Sequence, residues 1–194
     1  MTQLLLLCGS QRQESFNARF LNHVAGHFES ACDFLTTTPF AENLPLFNQD
    51  LENEPAVRAH VSELHQVFMS CDAIIVASPE YNGQLTPYLK NMIDWVSRLA
   101  YIDSAFANPF IDKPVLLCAA STGGSGGAMG IPSARALFGY VGAVVFGETL
   151  CLPFAHQAWT DAGYFFDDEF ENQIQSVSQR FAKHAEHFLA TKQN

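Results

Sequence analysis

Short runs of consecutive apolar residues alternate along this chain with stretches in which apolar positions recur every three or four residues. The runs extend from Leu4 to Cys8, Cys32 to Thr37, Ala73 to Ala77, Val115 to Ala119 and Val144 to Leu150, the second interrupted by Asp33 and the last by Gly147 to Thr149. None shows the polar alternation of a half-exposed strand, so each predicts a strand covered on both faces. Between them, helical period predicts helices from Asn17 to His27 and from Ala56 to Met69, the latter with Val57, Val61, Leu64 and Phe68 on one stripe. A third runs from Pro87 to Leu99 with Leu89, Ile93 and Val96 aligned, and a fourth from about Ser133 to Val141. The last begins near Asp167, where Asp168 and Glu169 suit the positive end of a helix dipole, and carries Phe170, Ile174, Val177, Phe181 and Phe188.

Strand and helix alternating without a break predict one α/β domain, residues 1–194, with a five-stranded parallel sheet between two helical layers. Two architectures fit: a flavodoxin-like three-layer sandwich with strand order 2-1-3-4-5, and half of a dinucleotide-binding fold. The second requires G-x-G-x-x-G after its first strand. Here that turn reads Gly9-Ser10-Gln11-Arg12-Gln13-Glu14-Ser15-Phe16-Asn17, with a single glycine, and the flavodoxin-like order is the expectation.

Composition narrows the partners. With 48% hydrophobic and 15% charged residues the chain is globular, and the balance of 20 acidic against 10 basic residues leaves no Lys/Arg cluster for nucleic acid or an anionic membrane. Small molecules are the expected partners. The apolar start from Leu4 to Leu7 is too short for a membrane span and lacks the features of a signal peptide, which predicts a cytoplasmic protein. Five widely spaced cysteines, Cys8, Cys32, Cys71, Cys118 and Cys151, fit neither a disulfide framework nor a zinc motif.

Candidate chemistry collects in the loops after the strands. Ser10, Arg12, Ser15 and Asn17 precede a helix whose free amides favour an anion, so the turn reads as a phosphate cradle. The competing reading is that Ser15 only caps the helix while Arg12 lies in solvent. Ser78-Pro79-Glu80-Tyr81-Asn82-Gly83 follows the third strand and Ser121-Thr122-Gly123-Gly124-Ser125-Gly126-Gly127 the fourth. Ligands of open α/β sheets sit beyond the carboxyl ends of the strands at the switch point, where these loops converge; flavodoxin itself is the standard example. A glycine-rich turn joining strand to helix is the plainer alternative for the second loop.

The sequence resembles the NADPH-dependent FMN reductase family through G-S-x-R-x-x-S-x-N from Gly9 to Asn17, Leu44-Pro45-Leu46-Phe47-Asn48-Gln49-Asp50-Leu51, Ser78 to Gly83, and Leu89-Lys90-Asn91 through Asp94-Trp95 to Ser97-Arg98. The likeness covers the chain from Leu4 to about Gly147. It implies bound FMN, NADPH or NADH as hydride donor, and an oxidised small-molecule acceptor such as a quinone, free flavin, azo compound or chromate. By the same resemblance Ser10, Arg12, Ser15 and Asn17 hold the phosphate, with Phe16 completing the turn. Pro79, Glu80, Tyr81 and Asn82 line the ring, and Ser121, Gly123 and Gly124 support its other edge. No residue need act as acid, base or nucleophile. A homodimer or homotetramer is expected, with Tyr101, Phe106 and Phe110 as apolar surface beyond what one sheet face uses. The chain departs from the family's pattern at Thr86-Pro87-Tyr88 and at Leu99-Ala100-Tyr101.

Rival readings come from the same residues. Gly123-Gly124-Ser125-Gly126-Gly127 satisfies G-x-S-x-G, and Asp161 with His184 or His187 follows in the order of a hydrolase triad using Ser125. A regulatory flavoprotein with slow turnover is another. His23 with His27 and His184 with His187 have metal-ligand spacing, but neither pair has a third ligand nearby in sequence. Exposed helix histidines, and no metal, are the expectation.

Overall fold

The computed structural model describes residues 2–28, 32–36, 43–160, 163, 165 and 167–192. Its strands are β1 (Thr2–Cys8), β2 (Cys32–Thr36), β3 (Ala73–Ala77), β4 (Pro114–Ala120) and β5 (Val144–Leu152). They form one parallel sheet in the order β2-β1-β3-β4-β5. The helices are α1 (Phe16–Gly26), α2 (Pro55–Ser70), α3 (Pro87–Ile102), α4 (Ile131–Tyr140) and α5 (Asp168–Lys192).

Two cores account for the unbroken apolar runs. On one face Leu4, Ile75 and Leu116 meet Phe20 and Val24 of α1 and Ile174, Val177 and Phe181 of α5. On the other, Leu5, Leu7, Ile74, Val76 and Leu117 meet Leu64 and Phe68 of α2, Leu89 and Ile93 of α3, and Phe138 of α4. Every residue of β3 and β4 is buried because successive side chains feed opposite helical layers.

Element ends depart from the sequence expectation for local reasons. β5 continues to Leu152, where Pro153, which lacks an amide donor, ends the ladder. α3 continues through Tyr101 to Ile102, and Asp103 caps it with its amide on Leu99 O. Thr37, expected in the second strand, lies outside the described residues. β5 also bulges: Val115 pairs Val145 but Leu117 pairs Thr149. The guanidinium of Arg135 on α4 donates to the displaced carbonyls of Phe146 (2.9 Å) and Gly147 (3.3 Å). Below the sheet's start, buried Lys113 donates to Phe68 O (2.7 Å) and Cys71 O (2.5 Å), closing the C-terminal end of α2.

Candidate functional site

The ends of β1, β3, β4 and β5 are tied side by side. Gly9 N donates to Ala77 O (2.8 Å), Ser78 N to Cys118 O (3.1 Å) and Ser121 N to Leu152 O (3.1 Å). A side chain at Gly9 would place its Cβ 2.5 Å from Ser78 Oγ, so only glycine lets the first turn lie this close to β3. Thr86 adds a further tie: its hydroxyl donates to Gly9 O (2.7 Å) and accepts from Leu89 N (3.2 Å). The departure Thr86-Pro87 thus makes the N-cap of α3 also the clamp of the first turn, with Pro87 in the first turn of the helix, where its missing amide costs nothing.

Above these ends lies a cleft of about 210 Å³ lined by Ser10, Arg12, Ser15, Phe16, Asn17, Pro79, Glu80, Tyr81, Ala120, Ser121 and Thr122. It shares Ser10 and Arg12 with a hollow of about 500 Å³ that reaches Cys8, Asn22 and Tyr88. Together they offer the room of an ordinary ligand pocket. Nine of the residues expected from sequence, Ser10, Arg12, Ser15, Phe16 and Asn17 in the first turn with Pro79, Glu80, Tyr81 and Ser121, thus meet in one cleft; Asn82, Gly123 and Gly124 stand outside its lining.

The individual roles are sharper than the sequence allowed. Ser15 is buried and caps α1, accepting from Ala18 N (3.2 Å). Phe16 and Asn17 line the cleft, and their amides, the first of α1, have no intrahelical acceptor. Arg12 is exposed, has its guanidinium carbon 5.7 Å from the Phe16 ring centroid, and forms no ion pair among the described residues. Asn17 is committed to the scaffold: Nδ2 donates to Ala120 O (2.8 Å) and Oδ1 accepts from Ala120 N (2.9 Å), binding α1 to β4. Glu80 Oε2, in the cleft wall, is buried without a hydrogen-bond partner among the described residues. A ligand bringing a hydroxyl or N–H donor there relieves the cost of that orphaned oxygen. Burial pushes the Cys8 thiol up, against the lowering effect of the hydrogen bonds to Ser10 and Ser15, so it is an inert floor rather than a nucleophile.

The loop after β3 is a two-residue hairpin turn. Tyr81 N and Gln84 N bond each other's carbonyls, and Asn82 (φ 54°) and Gly83 (φ 75°) both take left-handed conformations. Asn82 therefore serves the turn, and Tyr81 stands 54% exposed at its edge. At the loop after β4 the sequence did not flag Phe154. It follows β5 with φ 47°, is half exposed, donates its amide to Gly123 O (3.3 Å) and covers Gly124. Its only sequence signal is an aromatic after Pro153 at a strand end.

The motif from Leu89 to Arg98 is scaffold. Asn91 accepts from Phe47 N (2.7 Å) and, with Trp95 Nε1, donates to Pro45 O (2.9 and 2.7 Å). Lys90 pairs with Asp94, and Arg98 with Glu52. Among the described residues, Ser125 and His184 of the hydrolase arrangement are not brought together. Ser125 lies beyond the end of β4, whereas His184 packs on Phe146 near the start of β5, roughly a strand's length away. Asp161 lies outside the described residues. His23 and His27, expected to be exposed, are instead half-buried against α5.

A family model described as NADPH-dependent FMN reductase matches residues 2–157. A quinone reductase of Escherichia coli is 35% identical over 129 residues, 65% of this chain and 63% of that protein, so the match spans somewhat under two thirds of that relative. An NAD(P)H-dependent FMN reductase of Pseudomonas aeruginosa is 28% identical over 91% of each chain. Among solved structures, a flavoenzyme NAD(P)H:(acceptor) oxidoreductase of Paracoccus denitrificans superposes with a TM-score of 0.84 at 22% identity, over 97% of this chain and 99% of that one.

Proposed function

The chain belongs to the NADPH-dependent FMN reductase family, and from that premise we propose that it binds FMN and passes hydride from NADPH or NADH to an oxidised small-molecule acceptor. The observation that carries this reading is the cleft at the ends of β1, β3 and β4, where the unpaired amides of α1 and an Arg12 without a carboxylate partner among the described residues face the same space. An anion is what that combination accommodates. The chemistry the flavin supplies when bound is two-electron transfer from the nicotinamide to the acceptor.

The protein's own residues bind, orient and exclude water. Ser10, Arg12 and the amides of Phe16 and Asn17 take the phosphate. Ser15 and Asn17 hold that turn in place. Pro79, Glu80 and Tyr81 line one side of the ring, Asn82 sets the hairpin that carries Tyr81, and Ser121 with the Gly123-Gly124 backbone supports the other edge beside Phe154.

Arg12→Ala tests the reading. We expect FMN binding to weaken by about 1.5–3 kcal/mol, the range for a hydrogen bond to a charged group, or one to two orders of magnitude in Kd. Riboflavin, which lacks the phosphate, should keep its affinity; fluorescence titration of apo-protein with both flavins decides. Equal weakening of both would remove Arg12 from the phosphate site. A colourless protein that FMN does not reconstitute, or a yellow one that never oxidises NADPH or NADH with a quinone or free flavin, would overturn the binding and the turnover halves of the proposal respectively.

The assembly is proposed to be a homodimer or homotetramer, on a basis that the fold revises. Phe110 is buried against Phe68 and Phe138, and Phe106 packs on His65. Among the exposed apolar side chains, Tyr101, 69% exposed, and Tyr140, 86% exposed, flank a groove of about 630 Å³ between α3 and α4. Among the described residues no helix is long and apolar enough to cross a membrane. The cytoplasm is the proposed location because the nicotinamide donor is supplied there.

A further inference from the structure

His23 and His27 stand one turn apart at the C-terminal end of α1, and the fold brings the carboxylate of Glu171, in the first turn of α5, against both. Glu171 Oε2 lies 2.6 Å from His23 Nε2, and Glu171 Oε1 3.2 Å from His27 Nε2. The three donor atoms all fall within 4.8 Å of one another. Ligand atoms about 2.0–2.1 Å from a tetrahedral zinc ion lie roughly 3.3 Å apart, inside this spread, so small adjustments of His27 and Glu171 about a fixed His23 bring all three to one ion.

Two further features favour a cation here. The carbonyl end of α1, with its negative dipole, closes beside His27, whose amide bonds Val24 O and Ala25 O. The His23 ring is also held: Phe165 stacks on it at 4.8 Å and Trp159 meets it edge-on at 6.4 Å, while Arg19 lies 4.2 Å over Trp159. Orienting contacts of this kind fix a ligating imidazole before the ion arrives. The side chains are 18–36% exposed, so an ion has a path in.

We propose that His23, His27 and Glu171 bind a divalent transition-metal ion of the zinc class, with the fourth position open to water. The ion staples α5 to α1, the helix whose other end faces the cleft. His23 and His27 lie within residues 2–157 and Glu171 beyond them, so the site would join the part of the chain that matches the family to the helix that follows it.

The test uses the full chain, stripped with a chelator and titrated with ZnCl₂ by calorimetry and with CoCl₂ by absorption. We expect one ion per chain, visible ligand-field bands of four-coordinate cobalt, and a melting temperature raised by zinc and restored by chelator. His23→Gln and Glu171→Gln should each weaken zinc by more than about tenfold, and His187→Gln should leave it unchanged. X-ray absorption of the zinc-loaded wild-type protein should show two imidazoles on the ion, a readout that does not depend on any variant folding. No binding at micromolar zinc, an affinity unmoved by either substitution, or a shell without two imidazoles would overturn the site and leave a histidine–carboxylate ion pair only.

Discussion

Lys113 turns its charge on the protein's own backbone. Replacing it with Met keeps the stem but leaves the carbonyls of Phe68 and Cys71 without their donor, and each buried unsatisfied group costs about 1–3 kcal/mol. We expect Lys113→Met to lower the urea midpoint accordingly without changing the slope. His184 makes a second residue-scale prediction. Burial against Phe146 and Phe188, with a smaller contribution from His187, pushes its imidazole down from the usual 6.5, and its Nε2 has no partner among the described residues. The fold therefore prefers the neutral ring: the unfolded chain binds more protons just below pH 6.5, and stability is full above that value and falls as pH drops below it. His184→Phe should flatten that part of the stability profile, measured by urea melts from neutral to mildly acidic pH. Residues like these were not legible in sequence. Lys113 looks like any strand-flanking cation, and Asn17 like a phosphate donor, until the fold brings the partner carbonyl from 42 or 103 positions away.

Elements were legible where both faces of a strand are buried, because an unbroken apolar run of five residues is too short for a buried helix and too apolar for a surface loop. β3 matches the expected run end for end. His23 and His27 were misjudged for the opposite reason: the partner of His23 lies 148 residues along, and no local pattern announces it. Thr86 shows how one residue joins two elements. Thr86→Val should cost α3 its cap, about 1 kcal/mol, and free the carbonyl of Gly9. We expect both FMN and riboflavin to bind several-fold more weakly, in contrast to the phosphate-specific effect of Arg12→Ala. Gly126 makes a parallel case between β4 and α4. It has φ 61°, and an added Cβ would lie 2.9 Å from backbone atoms of Cys151, Leu152 and Pro153. Gly126→Ala must push apart two strand ends, and a lowered melting temperature with weakened flavin binding is the expected result.

At the scale of the molecule, the two helical layers have different tasks. α1 and α5 carry the anion-facing amides and the proposed metal staple, whereas α3 and α4 present the exposed tyrosines. If the latter face is the subunit contact, Tyr101→Glu with Tyr140→Glu should shift sedimentation from oligomer to monomer at micromolar concentration while the flavin spectrum survives. The hairpin of Tyr81 to Gln84 belongs to neither layer. It closes on two backbone hydrogen bonds of its own, and no strand pairing of the sheet runs through it. Selection can therefore lengthen or recolour its tip while drift in the fully buried strands stays suppressed. If the acceptor docks beside Tyr81 in the proposed reaction, acceptor preference and foldability become separately heritable traits on this scaffold.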